Sequence, residues 1–392
     1  MTRFIFDKAS LFINESHLKR YNAFSYAGTK NDCVIDCSKY SVFPGFVDVH
    51  VHFREPGFSY KETIKSGSAA AERSGYFAVC TMPNLNPVPD SLANLRVQLD
   101  AIKAGAKINV LPFGSITKGQ KGCEISDLEA MATSVCGFSD DGVGVNDRGL
   151  MKEAMQRAMA LGKVISAHCE DNTQIKDSPE AEWKQIERDI KLAEETKVKY
   201  HVCHISTKES VALIREAKKS GIDITCETAP HYLTFSSEDV RDDGRFRMNP
   251  PIRELADKTA LLEGICDGTI DMIATDHAPH SAEEKSKGLK SLNGIVGLEV
   301  AFPVLYTELV KKDVIPLNRL IELMSYAPSE RFNIELNGFS VFDLESEYEI
   351  NVSDFASMGR CTPYEGKRVY GKCLANTVND QIVFLDKNIS ML

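Results

Sequence analysis

The chain has 392 residues, 43% hydrophobic and 26% charged, the balance of a folded soluble protein with room for one barrel-sized domain and a smaller one. Its formal net charge of -10 excludes a general binder of nucleic acid or of anionic membranes, either of which needs a basic face. No window approaches ~18 consecutive apolar residues and no basic-then-apolar leader opens the sequence. The 11 cysteines are irregularly spaced and suit reduced thiols, so the chain is expected in the cytoplasm.

In chain order, residues 1–44 carry short strand-like pieces, FIF, LFIN and CVIDC. From residue 45 the pattern changes. Apolar runs at 45–52, 77–82, 108–116, 135–141, 164–169, 199–205, 222–229 and 271–276 alternate with helix-like stretches such as 91–103, 148–161, 179–195 and 208–220. Eight such units predict an α/β fold, a parallel (β/α)8 barrel of TIM type over 45–334. An open doubly wound sheet is the alternative, but it would carry a G-x-G-x-x-G turn after an early strand, and the sequence has none. Strand-like pieces return over 335–392 (SVFDL, YEINV, RVYG, QIVFLD). The two ends, 1–44 and 335–392, are expected to build one small β domain, since chain ends often lie close together.

The first barrel run, FVDVHVHFREPG, alternates. Val47, Val49, Val51 and Phe53 share one face of a strand; Asp48, His50, His52 and Arg54 share the other. A single His-x-His could be a solvated face. The other predicted strand ends argue otherwise. Asn84 follows the second, Asp140 and Asp141 end the fourth, His168 ends the fifth, His204 the sixth and Asp276 the eighth. Of the nine histidines, only His17 lies away from such an end. Barrel enzymes gather their chemistry at the C-terminal ends of the strands. Neutral imidazoles and carboxylates are ligands that zinc prefers. Four histidines and two aspartates exceed one tetrahedral site with an open position, and suit two metals ~3.5–4 Å apart, bridged by a carboxylate and a hydroxide. Arg54, two residues beyond His52, would grip a carboxylate with two hydrogen bonds. Two ambiguities stay open on pattern alone: Asp140 and Asp141 face opposite ways, and so do His201 and His204. A packing or loop role is expected for His231.

The segments DVHVHFREPG, MPN, FSDDGVGV, AHCED, HVCHISTKES, RMNPP, IATDHAPH and GIVGLE together resemble the type I bacterial dihydroorotases of the amidohydrolase superfamily, from Pro44 to about Phe332. The resemblance implies two Zn2+ ions per chain. His50 and His52 would ligate one, His168 and His204 the other, with Asp141 bridging, where many superfamily relatives use a carboxylated lysine. Asp276 would touch the first metal and act as general acid/base. Arg54, Asn84 and His280 would hold the substrate carboxylate, and Asn249 and the backbone near Gly294 the pyrimidine ring. The implied reaction is N-carbamoyl-L-aspartate ⇌ L-dihydroorotate + water, in pyrimidine biosynthesis. Departures are Asn293, where relatives carry an aromatic, a short segment between His168 and Trp183, and a poorly matching N-terminal segment. Competing expectations are another cyclic amidohydrolase (hydantoinase, dihydropyrimidinase, allantoinase) and a metal-free scaffold subunit. Asp141 in place of a bridging lysine argues against the first, and a complete ligand set against the second. The expected partners are a small-molecule substrate, a second copy of the chain in a homodimer, and aspartate transcarbamoylase. The polar segment 281–293 is expected to be a mobile cover.

Overall fold

The computed structural model describes residues 4–7, 10–11, 33–379, 381–387 and 389. His17 and most of the LFIN piece lie outside the described residues.

Eight parallel strands close into a barrel. They are Phe46–Val51, Tyr76–Thr81, Asn109–Pro112 continued by Gly114–Ser115, Gly137–Ser139, Val164–Ala167, Lys199–Val202, Ile224–Thr228 and Met272–Ile273. Each pairs in parallel with the next. The first strand meets the last through a parallel bridge between Val51 and His277, and the His52 N–H donates to the His277 carbonyl at 2.8 Å. The eighth strand is shorter than its sequence run. There the Thr275 N–H donates to the Asp48 carboxylate, so a side chain replaces a rung of the ladder.

The helices start where side chains can satisfy the first backbone N–H groups. Ser91, Asp147, Ser178 and Thr207 cap Leu92–Gly105, Arg148–Ala160, Pro179–Thr196 and Lys208–Lys219, each accepting from an N–H three residues on. The third unit has only a single α-helical turn, Leu128–Met131. No described helix is long and apolar enough to cross a membrane.

A separate five-stranded sheet joins both ends of the chain. Its order is Gln381–Leu385, Lys372–Val378, Phe339–Asp343, Ser41–Pro44, Ser10–Leu11, antiparallel except at the last pair. Lys372–Val378 is a strand that the sequence pattern did not show. Phe43 and Phe342 of this sheet stack at 5.2 Å, and Phe342 meets Phe302 at 4.5 Å. Phe302 in turn lies 5.1 Å from Phe46, at the start of the first barrel strand. This aromatic cluster seats the sheet at the end of that strand away from His50 and His52. Each buried ring contributes about 2 kcal/mol.

Candidate active site

The inward face of the first strand sets the site. His50 is fully buried and His52 and Arg54 nearly so. At its lower end Asp48 accepts from the His50 N–H and from Thr275, which ties the first strand to the eighth. Burial lifts the Asp48 carboxyl to about 7 despite those bonds.

Asp141 stands at the centre. One oxygen lies 3.2 Å from His50 Nε2, 3.6 Å from His168 Nδ1 and 3.5 Å from His204 Nε2; the other is 3.4 Å from His52 Nε2. Asp276 Oδ1 is 3.0 Å from His52 Nε2 and 3.6 Å from His50 Nε2. His168 Nδ1 and His204 Nε2 are 2.9 Å apart. The structure thus brings all six expected ligand positions together. His204 and Asp276 reach in from backbone with φ of 31° and 48°. That region is uncommon for residues with a Cβ and costs about 1–3 kcal/mol, a strain typical of functional sites.

The two open ambiguities resolve. Asp140 turns away and accepts from the Ile116 and Thr117 N–H groups and from the Thr117 hydroxyl. His201 lies within the sixth strand, below the cluster, with Nε2 3.1 Å from Glu227 Oε2. His231 packs edge-on against Tyr232 in the short helix Pro230–Thr234 and joins none of these contacts.

The electrostatics ask for a cation. Burial alone would lower the His50 pKa, yet Asp141 and Glu227 raise it well above the ordinary histidine value. Burial would raise Asp141, but His50, His168 and His204 hold it well below the carboxylate range. His50 Nε2 and Asp141 Oδ1 are buried, 3.2 Å apart, and have no hydrogen-bond partner among the described residues. A buried imidazole and carboxylate crowded in this way draw in positive charge, and a divalent ion can supply it in place of a proton on Nε2. The donor set of four imidazole nitrogens and two carboxylates fits zinc.

A cavity of about 240 Å³ opens over the cluster, lined by every expected site residue except the deeper His50. Arg54 donates from Nε to the Pro279 carbonyl at 3.2 Å, and its terminal nitrogen sits 3.4 Å from His280 Nε2. Burial lowers the guanidinium pKa to about 10, so it stays charged. Gly294 has φ of 130°, and a Cβ there would fall 2.6 Å from the Ala278 carbonyl oxygen, so this wall of the cavity requires glycine. Asn84 and Asn249 also touch histidines of the cluster. Asn84 Oδ1 is 2.9 Å from His52 Nδ1, and Asn249 Nδ2 is 3.4 Å from His168 Nε2 and 3.2 Å from Glu170 Oε2. Segment 281–293, expected to be a mobile cover, is hydrogen-bonded to its surroundings. Lys285 donates to the Arg247 and Leu292 carbonyls, and Leu289 N–H to Asp242. A larger cavity, about 460 Å³, lies at the other end of the barrel beside Lys163 and Arg331, and holds none of these groups.

Sequence reasoning missed three residues at the site. Glu227 Oε1 lies 2.6 Å from His50 Nδ1, Glu170 Oε2 3.2 Å from His168 Nε2, and Lys61 Nζ 3.2 Å from His280 Nδ1. The available signal for Glu227 was an acid inside an apolar strand run, ITCET.

Comparison with known proteins points to one family. A family model described as dihydro-orotase-like matches residues 40–182. The dihydroorotase of Fusobacterium nucleatum subsp. nucleatum is 45% identical, over 97% of this chain and 96% of that protein. That of Staphylococcus epidermidis is 43% identical over the same shares, and that of Geobacillus thermodenitrificans 45% identical over 90% and 89%. Among solved structures, the L-hydantoinase (dihydropyrimidinase) of Arthrobacter aurescens superposes with a TM-score of 0.85 at 24% identity, covering 94% of this chain and 90% of that one. The dihydropyrimidinase of Brevibacillus agri NCHU1002 superposes at 0.82 and 20% identity, with the same coverage.

Proposed function

The chain belongs to the dihydroorotase family of cyclic amidohydrolases, and from that premise we propose how its residues interconvert N-carbamoyl-L-aspartate and L-dihydroorotate. The observation that carries the reading is Asp141 lying within 3.6 Å of all four histidines, beneath a cavity walled by Arg54. In this reading His50, His52, Asp141, His168, His204 and Asp276 hold two zinc ions. Zinc so held supplies Lewis acidity toward a carbonyl oxygen and lowers the pKa of water toward ~7.

The protein's own groups do the rest. Arg54 pairs with the substrate carboxylate and fixes the ring over the cluster. His280 and Asn84 complete that end of the cavity; Asn249 and the backbone at Gly294 border the pyrimidine ring. In hydrolysis Asp276 takes the proton of the attacking water and delivers it to the leaving ring nitrogen. In synthesis the same carboxylate removes a proton from the ureido nitrogen. The lowered Asp276 pKa, set by His52, His50 and His204 against burial, keeps it ionised.

The same reading places the protein in the cytoplasm, as a homodimer able to associate with aspartate transcarbamoylase. Its buried free thiols Cys80, Cys169, Cys203 and Cys226 suit a reducing compartment.

The test is a metal count on protein purified without chelator, with dihydroorotate hydrolysis followed in the same sample. About two zinc ions per chain with turnover is the expected result. Metal with turnover of 5,6-dihydrouracil or hydantoin, but not of dihydroorotate, would overturn the substrate. Neither metal nor activity after zinc is restored would overturn the site.

A further inference from the structure

Among the fourth to eighth barrel strands, only the seventh supplies none of the six candidate ligands. It carries instead a buried acid. Glu227 is 1% exposed and has no lysine or arginine partner among the described residues. Its Oε1 lies 2.6 Å from His50 Nδ1 and accepts from the His204 backbone N–H at 3.3 Å. Its Oε2 lies 3.1 Å from His201 Nε2, and His201 Nδ1 lies 2.9 Å from the Thr225 hydroxyl.

A carboxylate only accepts, so both facing ring nitrogens must carry protons. With a proton held on Nδ1, His50 can offer its Nε2 lone pair to a cation, at the atom that faces Asp141 and lacks a hydrogen-bond partner among the described residues. The other ligand histidines are backed differently. His52 Nδ1 faces the neutral Asn84 amide, and His168 Nε2 faces Glu170, whose side chain is 22% exposed and shared with Asn249. A fully buried negative charge is screened least, so it should strengthen its histidine most.

We propose that Glu227 is a positioning residue: it holds His50 as the Nδ1–H tautomer, with His201 as its second donor, and makes the His50/His52/Asp276 position the tighter of two metal positions. This rests on the two-zinc reading above. His50, His52 and Asp276 do offer ligand atoms within 4.8 Å of one another.

The experiment is zinc titration of metal-depleted protein against a chromophoric chelator, for wild type, Glu227→Gln and Glu170→Gln. Wild type is expected to show two binding steps. Glu227→Gln should weaken the tighter step by about 10- to 100-fold and leave the weaker one, while Glu170→Gln does the reverse. A merely structural role would instead lower the thermal midpoint of the metal-free protein and leave the tighter step in place. Glu227→Gln with wild-type affinities would overturn the inference, and so would equal weakening of both steps. If Glu227→Gln does not fold, His201→Leu removes the second donor while keeping the carboxylate. It should then weaken the tighter step alone, and an unchanged tighter step would overturn the inference. Wild-type protein that takes up no zinc would overturn the two-zinc reading itself, a result distinct from a wild type that binds and a variant that matches it.

Discussion

Lys61 Nζ lies 3.2 Å from His280 Nδ1. An ammonium only donates, so Nδ1 must accept and the His280 proton resides on Nε2, 2.7 Å from the Asn293 carbonyl. Burial, then Arg54 and Lys61, hold the His280 pKa at about 3. A neutral ring therefore stands beside the Arg54 guanidinium, with its orientation locked from both sides. Lys61→Met should release that lock and raise KM for dihydroorotate up to about tenfold, with a smaller change in kcat. Steady-state kinetics in both directions check this; an unchanged KM would show that the carboxylate end of the cavity does not depend on Lys61.

Arg54 is the group that should separate this substrate from uncharged cyclic amides. It is 8% exposed and held from below by the Pro279 carbonyl, so its outer N–H groups can meet a carboxylate in the cavity. Arg54→Ala should lower kcat/KM for dihydroorotate by about 100-fold or more, because the ring loses both a charge-assisted pair and its alignment. The zinc content should stay at the wild-type value. Near-normal kcat/KM would remove Arg54 from the reaction.

Much of this was legible from the sequence because a strand and a barrel are periodic objects. Alternation placed His50 and His52 on one face, and the strand ends pointed to the pairs Asp140/Asp141 and His201/His204, to His168 and to Asp276; the family resemblance chose Asp141 and His204. Alternation could not choose between Asp140 and Asp141, since either face of a short strand can bury a carboxylate. The choice lies in the Ile116 and Thr117 N–H groups that receive Asp140. Nor could it find Glu227, whose partner His50 is 177 residues away in sequence. The missed strand Lys372–Val378 contains Ala375 and Asn376, poor strand formers. Its register comes from tertiary bonds, with the Asn376 amide donating to the Glu72 and Tyr76 carbonyls.

Asp276 should behave as the proton carrier rather than as a simple anchor. Its carboxylate borders the cavity while one oxygen stays 3.0 Å from His52 Nε2. Asp276→Asn retains a ligand oxygen and the side-chain volume but cannot accept the proton. Turnover should drop by about 10²–10⁴-fold in both directions while KM changes far less. A variant that keeps more than about a tenth of wild-type kcat would assign the proton to another group.

His231, beside the candidate ligands but not one of them, gives a pH test. It is 1% exposed, and its Nε2 has no hydrogen-bond partner among the described residues. Burial first, and then the neighbouring His204, outweigh Asp276 and lower its pKa from 6.5 to about 4. The folded value is depressed, so the contribution to stability is fully present above 6.5. As the pH falls from 6.5 toward about 4, the unfolded chain takes up a proton that the folded chain refuses, and stability is lost. That difference amounts to about 3 kcal/mol across the window. Urea denaturation of wild type and His231→Gln, at pH values above and inside it, isolates the group because every other titration is common to both proteins. Wild type should lose more stability on acidification than the variant, even if the variant is less stable at neutral pH. Parallel losses would mean that His231 charges in the folded state at an ordinary pH, with room for a proton that the packing against Tyr232 does not show.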